Sequence, residues 1–207
     1  MTRLYLPSIK PGESVCIVGP KGSGKTVLAK TLLLSRRNAL VIDTKLIERW
    51  ERVGVRITPQ QLLTVRGGRY HWPASDDFVL DRDVQDVTFR RLLKSGHRVL
   101  YIDEAYDLQL SGGLKLVATK GRASKLGLWV STQRPCHIPL FLISEAQHFF
   151  VFYLRLARDR ARIEEATGME LPWDRLQKWR HSFLYISETG KVLGPIQLDK
   201  GTVQSVV

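Results

Sequence analysis

Eight residues, Gly19-Pro20-Lys21-Gly22-Ser23-Gly24-Lys25-Thr26, constrain this chain more than any other stretch. They fit G-x-x-x-x-G-K-[ST], a loop whose backbone amides cradle phosphates. The flanks agree with the pattern. Val15-Cys16-Ile17-Val18 is an apolar, β-branched run that reads as a buried strand, and residues 27–34 read as a helix whose N-terminus lies at Lys25. Strand, loop and helix in that order aim unpaired N–H groups and the positive end of a helix dipole at one anion. Gly19, Gly22 and Gly24 permit the turns on which those amides converge. Lys25 is then placed to reach the β- and γ-phosphates of a nucleoside triphosphate, and the Thr26 hydroxyl to hold Mg²⁺. A glycine-rich turn that merely resembles the pattern would not need both flanks.

The rest of the chain alternates strands with helices, which predicts a mainly parallel sheet covered on both faces. Further strands are expected at 39–42, 98–102, 128–132 and 149–154, with a short edge strand at 69–73 closed by proline. Helices are expected over 81–94 (stopped by Gly96), 114–124, 139–147, 155–165 and 171–179. Residues 183–186 and 191–193, joined through Glu188-Thr189-Gly190, read as a C-terminal hairpin. Residues 46–66 have weak periodicity. The 207 residues suit one α/β domain, and 43% hydrophobic content is enough for a sizeable core.

Chemistry concentrates at strand ends. Asp103-Glu104 follows the apolar run 98–102, at the edge where a phosphate-binding loop needs a metal-associated acid. Asp103 there steadies the ion, and Glu104 orients and activates the attacking water as general base. Two solvated carboxylates at a strand end are the bland alternative. Gln133 ends the next strand, where it could bond both the water and the γ-phosphate. Arg122 and Arg134 are both candidates for a transition-state arginine, and charge alone does not choose between them.

The formal net charge is +12, from 32 basic and 20 acidic residues, and no lysine-rich tail carries it. An excess spread over the folded body favours a polyanionic partner, nucleic acid above all. Lys115 and Lys120, beyond the Gly112-Gly113 turn, are the candidates for DNA contact, with Arg66 and Arg69 a second group. A solvated helix face explains any one of them equally well. No apolar run approaches the roughly 20 residues that span a bilayer, and the opening residues lack the apolar stretch of a signal peptide. Cys16 and Cys136 have no metal-site spacing, so a reducing, intracellular setting is the default.

Several of these motifs in order resemble one family. The eight-residue loop, Val-Ile-Asp-Thr-Lys at 41–45, Leu-Tyr-Ile-Asp-Glu-Ala at 100–105, Gly121-Arg122, and Ser-Thr-Gln-Arg-Pro at 131–135 are similar to the FtsK/HerA superfamily of DNA-pumping ATPases. The loop and acid pair are generic, whereas Ser-Thr-Gln-Arg-Pro at this spacing is more specific. The resemblance covers most of the chain apart from residues 46–95. It implies a RecA-like P-loop NTPase fold of the additional-strand, catalytic-glutamate type, with a C-terminal β-hairpin. It also implies ATP and Mg²⁺ as cofactors: Lys25 and Thr26 on nucleotide and metal, Asp103 on the metal, Glu104 on the water, Gln133 sensing the γ-phosphate. Arg122 resembles the arginine that acts on a neighbouring subunit, in a hexameric or pentameric ring around double-stranded DNA.

Cellular members carry membrane anchors, winged-helix tails or amino-terminal barrels. This chain reaches its phosphate loop by Gly19, which resembles the bare motors that package viral genomes, particularly those of tailless, membrane-containing viruses. The expectation is therefore a motor in the host cytoplasm or on the virion, with a capsid portal or vertex protein as a further partner. A cellular or plasmid translocase and a nucleotide-switched assembly factor are the alternatives.

Overall fold

The computed structural model describes residues 8–46, 50–62, 64–177 and 181–198. Its centre is β1 (Val15–Val18), every residue of which is buried. The full β-branched run is buried because both flanks of β1 are paired, in parallel, to β6 (Gly127–Thr132) and β7 (His148–Phe152). Between β1 and its successor β2 (Asn38–Asp43) lie two later strands, β6 and then β5 (Val99–Asp103). β6 is thus the additional strand between the phosphate-loop strand and the acid-bearing one.

Beyond β2 come β4 (Gly68–Pro73) and the two-residue β3 (Val55–Arg56), both parallel to their neighbours. On the other side β8 (Ser182–Ser187) and β9 (Val192–Gln197) run antiparallel and close the sheet, nine strands among the described residues, as the expected hairpin.

Alternate residues of the buried strands serve opposite faces, as a period of two dictates. Ile17, Val41, Tyr101, Trp129 and Phe150 pack with Leu28 and Leu32 of α1 (Lys25–Leu34). Cys16, Leu40, Leu100 and Val130 pack on the other side, under α3 (Arg82–Leu92), α4 (Gly112–Lys120), α5 (Leu140–Ser144) and α6 (Ala157–Thr167). Cys16 is a core residue, and burial pushes its thiol up to about 12. Both cysteines are free.

Several elements differ from the sequence expectation. Residues 68–73 form an interior strand, β4, because Val55–Arg56 takes the edge; Pro73 sits at its last position, where a missing N–H costs least. The helix expected at 81–94 is preceded by a separate turn of helix, α2 (Asp76–Leu80), and Asp81 ends one and caps the other. Its carboxylate accepts from the N–H groups of Asp83 and Val84, an N-cap strong enough to restart the helix in a new direction. α5 stops at Ser144, short of 147. Of the helix expected over 171–179 there is one tight turn, Trp173–Arg175; the expected residues 178–179 lie outside the described residues. Among the described residues no helix is long and apolar enough to cross a membrane.

Candidate active site

The C-terminal ends of β1, β6, β5 and β2 meet along one rim of the sheet, and each ends in a polar residue or loop. After β1 the chain turns through the phosphate loop. Gly24 adopts φ 107°, a left-handed backbone that a side chain would strain, and it delivers Lys25 as the first residue of α1. A Cβ on Gly19 would lie 2.7 Å from both Phe152 Cβ and Ser23 Oγ, so no larger residue fits there. The Gly19 N–H donates to the Thr132 carbonyl, which ties the loop to the end of β6. Lys25 is 8% exposed, and its ammonium donates to the carbonyls of Gly19 (2.7 Å) and Pro20 (3.1 Å). The loop thus holds its own cation inward. The Ser23 hydroxyl is buried in the same loop, with no hydrogen-bond partner among the described residues.

β5 delivers two adjacent carboxylates with different surroundings. Asp103 is 4% exposed; its Oδ1 accepts from the hydroxyls of Tyr101 (3.1 Å) and Ser131 (3.0 Å). Burial pushes the Asp103 carboxyl above its ordinary range, against those two hydroxyls. Glu104, 2% exposed, has φ 65°, a left-handed conformation that costs a residue with a side chain on the order of 1–2 kcal/mol. Such strain persists where surroundings over-determine it.

Those surroundings are four donors. Oε1 accepts from the Thr132 hydroxyl (2.9 Å) and the Gln133 N–H (2.8 Å). Oε2 accepts from the Gln133 side-chain amide (2.9 Å) and the Lys45 ammonium (2.7 Å). Burial pushes this carboxyl up, but Lys45 and the Gln133 N–H outweigh it and hold the carboxyl below its usual range.

The sequence-predicted residues therefore divide. Gly19 to Thr26, Asp103, Glu104 and Gln133 come together on one rim. Arg134 lines a cleft of about 480 Å³ with Pro20 and Lys21, next to its own chain's phosphate loop. Arg122 stands at the opposite rim, just before β6, where its guanidinium pairs with Glu188 of the β8–β9 turn at 3.0 Å. Lys115 and Lys120 are exposed on α4, and Arg66 is exposed on the loop ahead of β4. Arg69 is a clamp: its guanidinium donates to the carbonyls of Val53 and Arg36. Lys45, Thr132, Ser131 and Tyr101 had no assigned role from sequence. Lys45 and Thr132 lie within the 41–45 and 131–135 motifs but carry no role there, and Tyr101 reads as core until its hydroxyl is seen on Asp103.

Mg²⁺ fits the donor set. One carboxylate and one hydroxyl facing a phosphate loop are what this ion takes from protein when substrate phosphates and water complete its octahedron.

A sheet with a phosphate loop after its central strand, an additional strand, and then an acid pair defines a RecA-like P-loop NTPase. No family model matches the sequence. The DNA packaging ATPase P9 of Enterobacteria phage PRD1 is 30% identical over 176 residues, spanning 77% of this chain and 72% of that protein. The chain belongs to the family of viral DNA-packaging ATPases. Solved structures carry the same fold. The genome packaging NTPase B204 of Sulfolobus turreted icosahedral virus 2, in complex with AMPPCP, superposes with a TM-score of 0.71 at 21% identity, over 91% of this chain and 100% of that one. VirB4 of Thermoanaerobacter pseudethanolicus superposes with a TM-score of 0.64 at 13% identity, over 92% and 91%.

Proposed function

We propose that this chain is an ATP-hydrolysing, Mg²⁺-dependent motor that drives double-stranded DNA into a preformed capsid. The observation that carries the reading is the Glu104–Gln133 constellation, bonded across β5 and β6 beside the phosphate loop. It supplies a base and a polar sensor where a γ-phosphate would end. Membership of a packaging-ATPase family and the +12 charge support DNA as the load.

In this reading Lys25 leaves the carbonyls of Gly19 and Pro20 for the β- and γ-phosphates, while the amides of the loop receive the remaining oxygens. Thr26 and Asp103 would hold Mg²⁺, which would supply positive charge to offset that of the phosphates. Glu104 accepts the proton of the attacking water, and the Gln133 amide orients that water against the γ-phosphate. One folded unit works as a protomer of a hexameric or pentameric ring in the host cytoplasm, with Arg122 lent to the neighbour's site. Lys115 and Lys120, with Arg66 in support, contact DNA phosphates; a pump must ignore sequence, and phosphate contacts do. A capsid portal or vertex protein anchors the ring.

Glu104→Gln tests the chemistry. The amide keeps the shape but not the base, so ATP turnover should fall on the order of 10²–10⁴-fold. Binding of a fluorescent ATP analogue should persist, because Lys25, Thr26 and Asp103 remain. Turnover near wild type would remove Glu104 from the role. Stimulation of wild-type hydrolysis by duplex DNA of arbitrary sequence tests the motor; indifference to DNA would leave a nucleotide switch instead.

A further inference from the structure

Lys45 belongs to a motif at the end of β2 that the hydrolytic scheme leaves unused, yet the structure builds it with care. The Asp43 carboxylate, itself 3% exposed, accepts from the backbone N–H groups of Lys45 (3.3 Å) and Leu46 (3.1 Å), closing a tight turn after the strand. The Thr44 hydroxyl donates to the Asp103 carbonyl at 2.5 Å and bolts that turn to the end of β5. From this mount Lys45 reaches across to Glu104, with the ammonium 27% exposed in its side chain and the carboxylate 3%.

A carboxylate offers about four acceptor positions, and Glu104 has four donors on it. None is left for a water. A base in this state cannot take a proton from one until a donor departs. Two of the four are fixed: the Gln133 N–H is backbone, and the Thr132 hydroxyl is buried at the strand end. The two that can leave, the Lys45 ammonium and the Gln133 amide, are both on Oε2. In the hydrolytic scheme Gln133 turns to the water and frees one position on Oε2; Lys45 keeps the other, and its positive charge against that oxygen opposes the proton that Glu104 must take up.

We propose that Lys45 is a positioning residue that holds Glu104 idle, and that hydrolysis waits for this ion pair to open. The inference rests on Glu104 being the general base. The fraction of sites with the pair open scales the observed rate without altering how ATP is bound. Removing the hold therefore raises kcat and leaves KM in place.

The test is steady-state ATP hydrolysis without DNA by wild type, Lys45→Met, Lys45→Arg, Glu104→Gln and the Lys45→Met/Glu104→Gln double variant. Binding of a fluorescent ATP analogue serves as the check on folding. Lys45→Met should raise kcat about tenfold, the size of losing one charge-assisted hydrogen bond, with KM little changed. Lys45→Arg, which keeps the cation, should bring the rate back toward wild type. The double variant should be as slow as Glu104→Gln, because the gain acts through that carboxylate. A Lys45→Met kcat at or below wild type, in protein that still binds the analogue, overturns the hold and makes Lys45 part of the hydrolytic machinery. A gain that survives in the double variant overturns it as well. Full activity of Glu104→Gln alone would instead sink the assignment of the base, a separate result on the same plate.

Discussion

The two rims of the sheet spend their polar groups differently. At the upper rim, where β1, β2, β5 and β6 end, the charged groups face one another. Lys25 lies on loop carbonyls, Lys45 on Glu104, and Glu104 carries a left-handed backbone. At the lower rim, where those strands begin, the buried polar groups fasten elements together. The His148 ring sits between Glu13 (2.9 Å) and the Tyr185 hydroxyl (2.7 Å), joining the approach to β1, β7 and β8. His97 reaches Asn38 and links the starts of β5 and β2. The upper rim is a set of partners that a ligand can exchange; the lower rim is a set of bolts. Arg122 is the exception below. Its pair with Glu188 is 58% and 53% exposed on the two sides, so opening it costs little.

That exception gives the largest expected effect. β6 has six residues and at ~3.3 Å each spans roughly 20 Å, so Arg122 at its near end is far from its own γ-phosphate. If it serves the neighbouring subunit, Arg122→Ala should lower turnover about 10³-fold or more. Mixing inactive Arg122→Ala with inactive Glu104→Gln subunits creates interfaces that pair an intact Glu104 with an intact Arg122, and activity should partly return. No recovery in mixtures shown to co-assemble would leave Arg122 a lower-rim bolt like the rest and move the role to Arg134, which lies beside the phosphate loop in cis.

The next effect sharpens the lower rim. Burial, with Arg66 nearby, pushes the His97 ring down to about 4. A depressed value means the folded state resists a proton that the unfolded chain accepts from about 6.5 downward. Stability is therefore fully present above about 6.5, falls as pH drops toward 4, and has by then lost on the order of 3 kcal/mol. Chemical denaturation across that window should show the loss, and His97→Phe should flatten it. An unchanged slope in the variant would place the pH dependence on another group.

The fold was largely legible because its signals are dense. A β-branched run paired on both sides cannot alternate, and β1 does not. The hairpin announced itself through Glu188-Thr189-Gly190, and the phosphate loop through its glycines. The misreadings came where tertiary structure overrode local pattern. Pro73 suggested an edge, but the edge is taken by Val55–Arg56, two exposed residues with no strand signal of their own. Asp81 capped a second helix inside what periodicity read as one. In the candidate site, residue types at strand ends pointed to Asp103, Glu104 and Gln133, which the structure brings onto one rim. Lys45 carried no role because what brings it to Glu104 is the parallel register of β2 and β5, in which Asp43 stands beside Asp103; Tyr101 carried none because its hydroxyl acts through Asp103 on its own strand and Ser131 on β6. Register is not written in any one strand.

A third effect concerns α4. Lys115 and Lys120 are exposed and five positions apart, about 7.5 Å along the helix axis. If each neutralises one DNA phosphate, reversing both to Glu should cut the slope of log affinity against log salt by about two. Hydrolysis without DNA should be unaffected, since neither approaches the phosphate loop. A salt slope equal to wild type would make them a solvated face.

The smallest effect separates the two ion pairs directly. Glu188→Gln removes the partner of Arg122 while keeping the shape of the turn. Exposed pairs of this kind contribute on the order of 0.2–1 kcal/mol, so the unfolding midpoint should barely move. If Glu188 only parks Arg122 between subunits, freeing the arginine should raise ring activity modestly, by about fivefold or less on the same energy scale. Lys45→Met, which opens the buried pair at the other rim, should change kcat more. Comparing the two variants in one hydrolysis assay therefore ranks the rims. Should Glu188→Gln abolish activity instead, the lower-rim pair is itself part of the assembled site, and the contrast between exchangeable partners above and cheap pairing below does not hold.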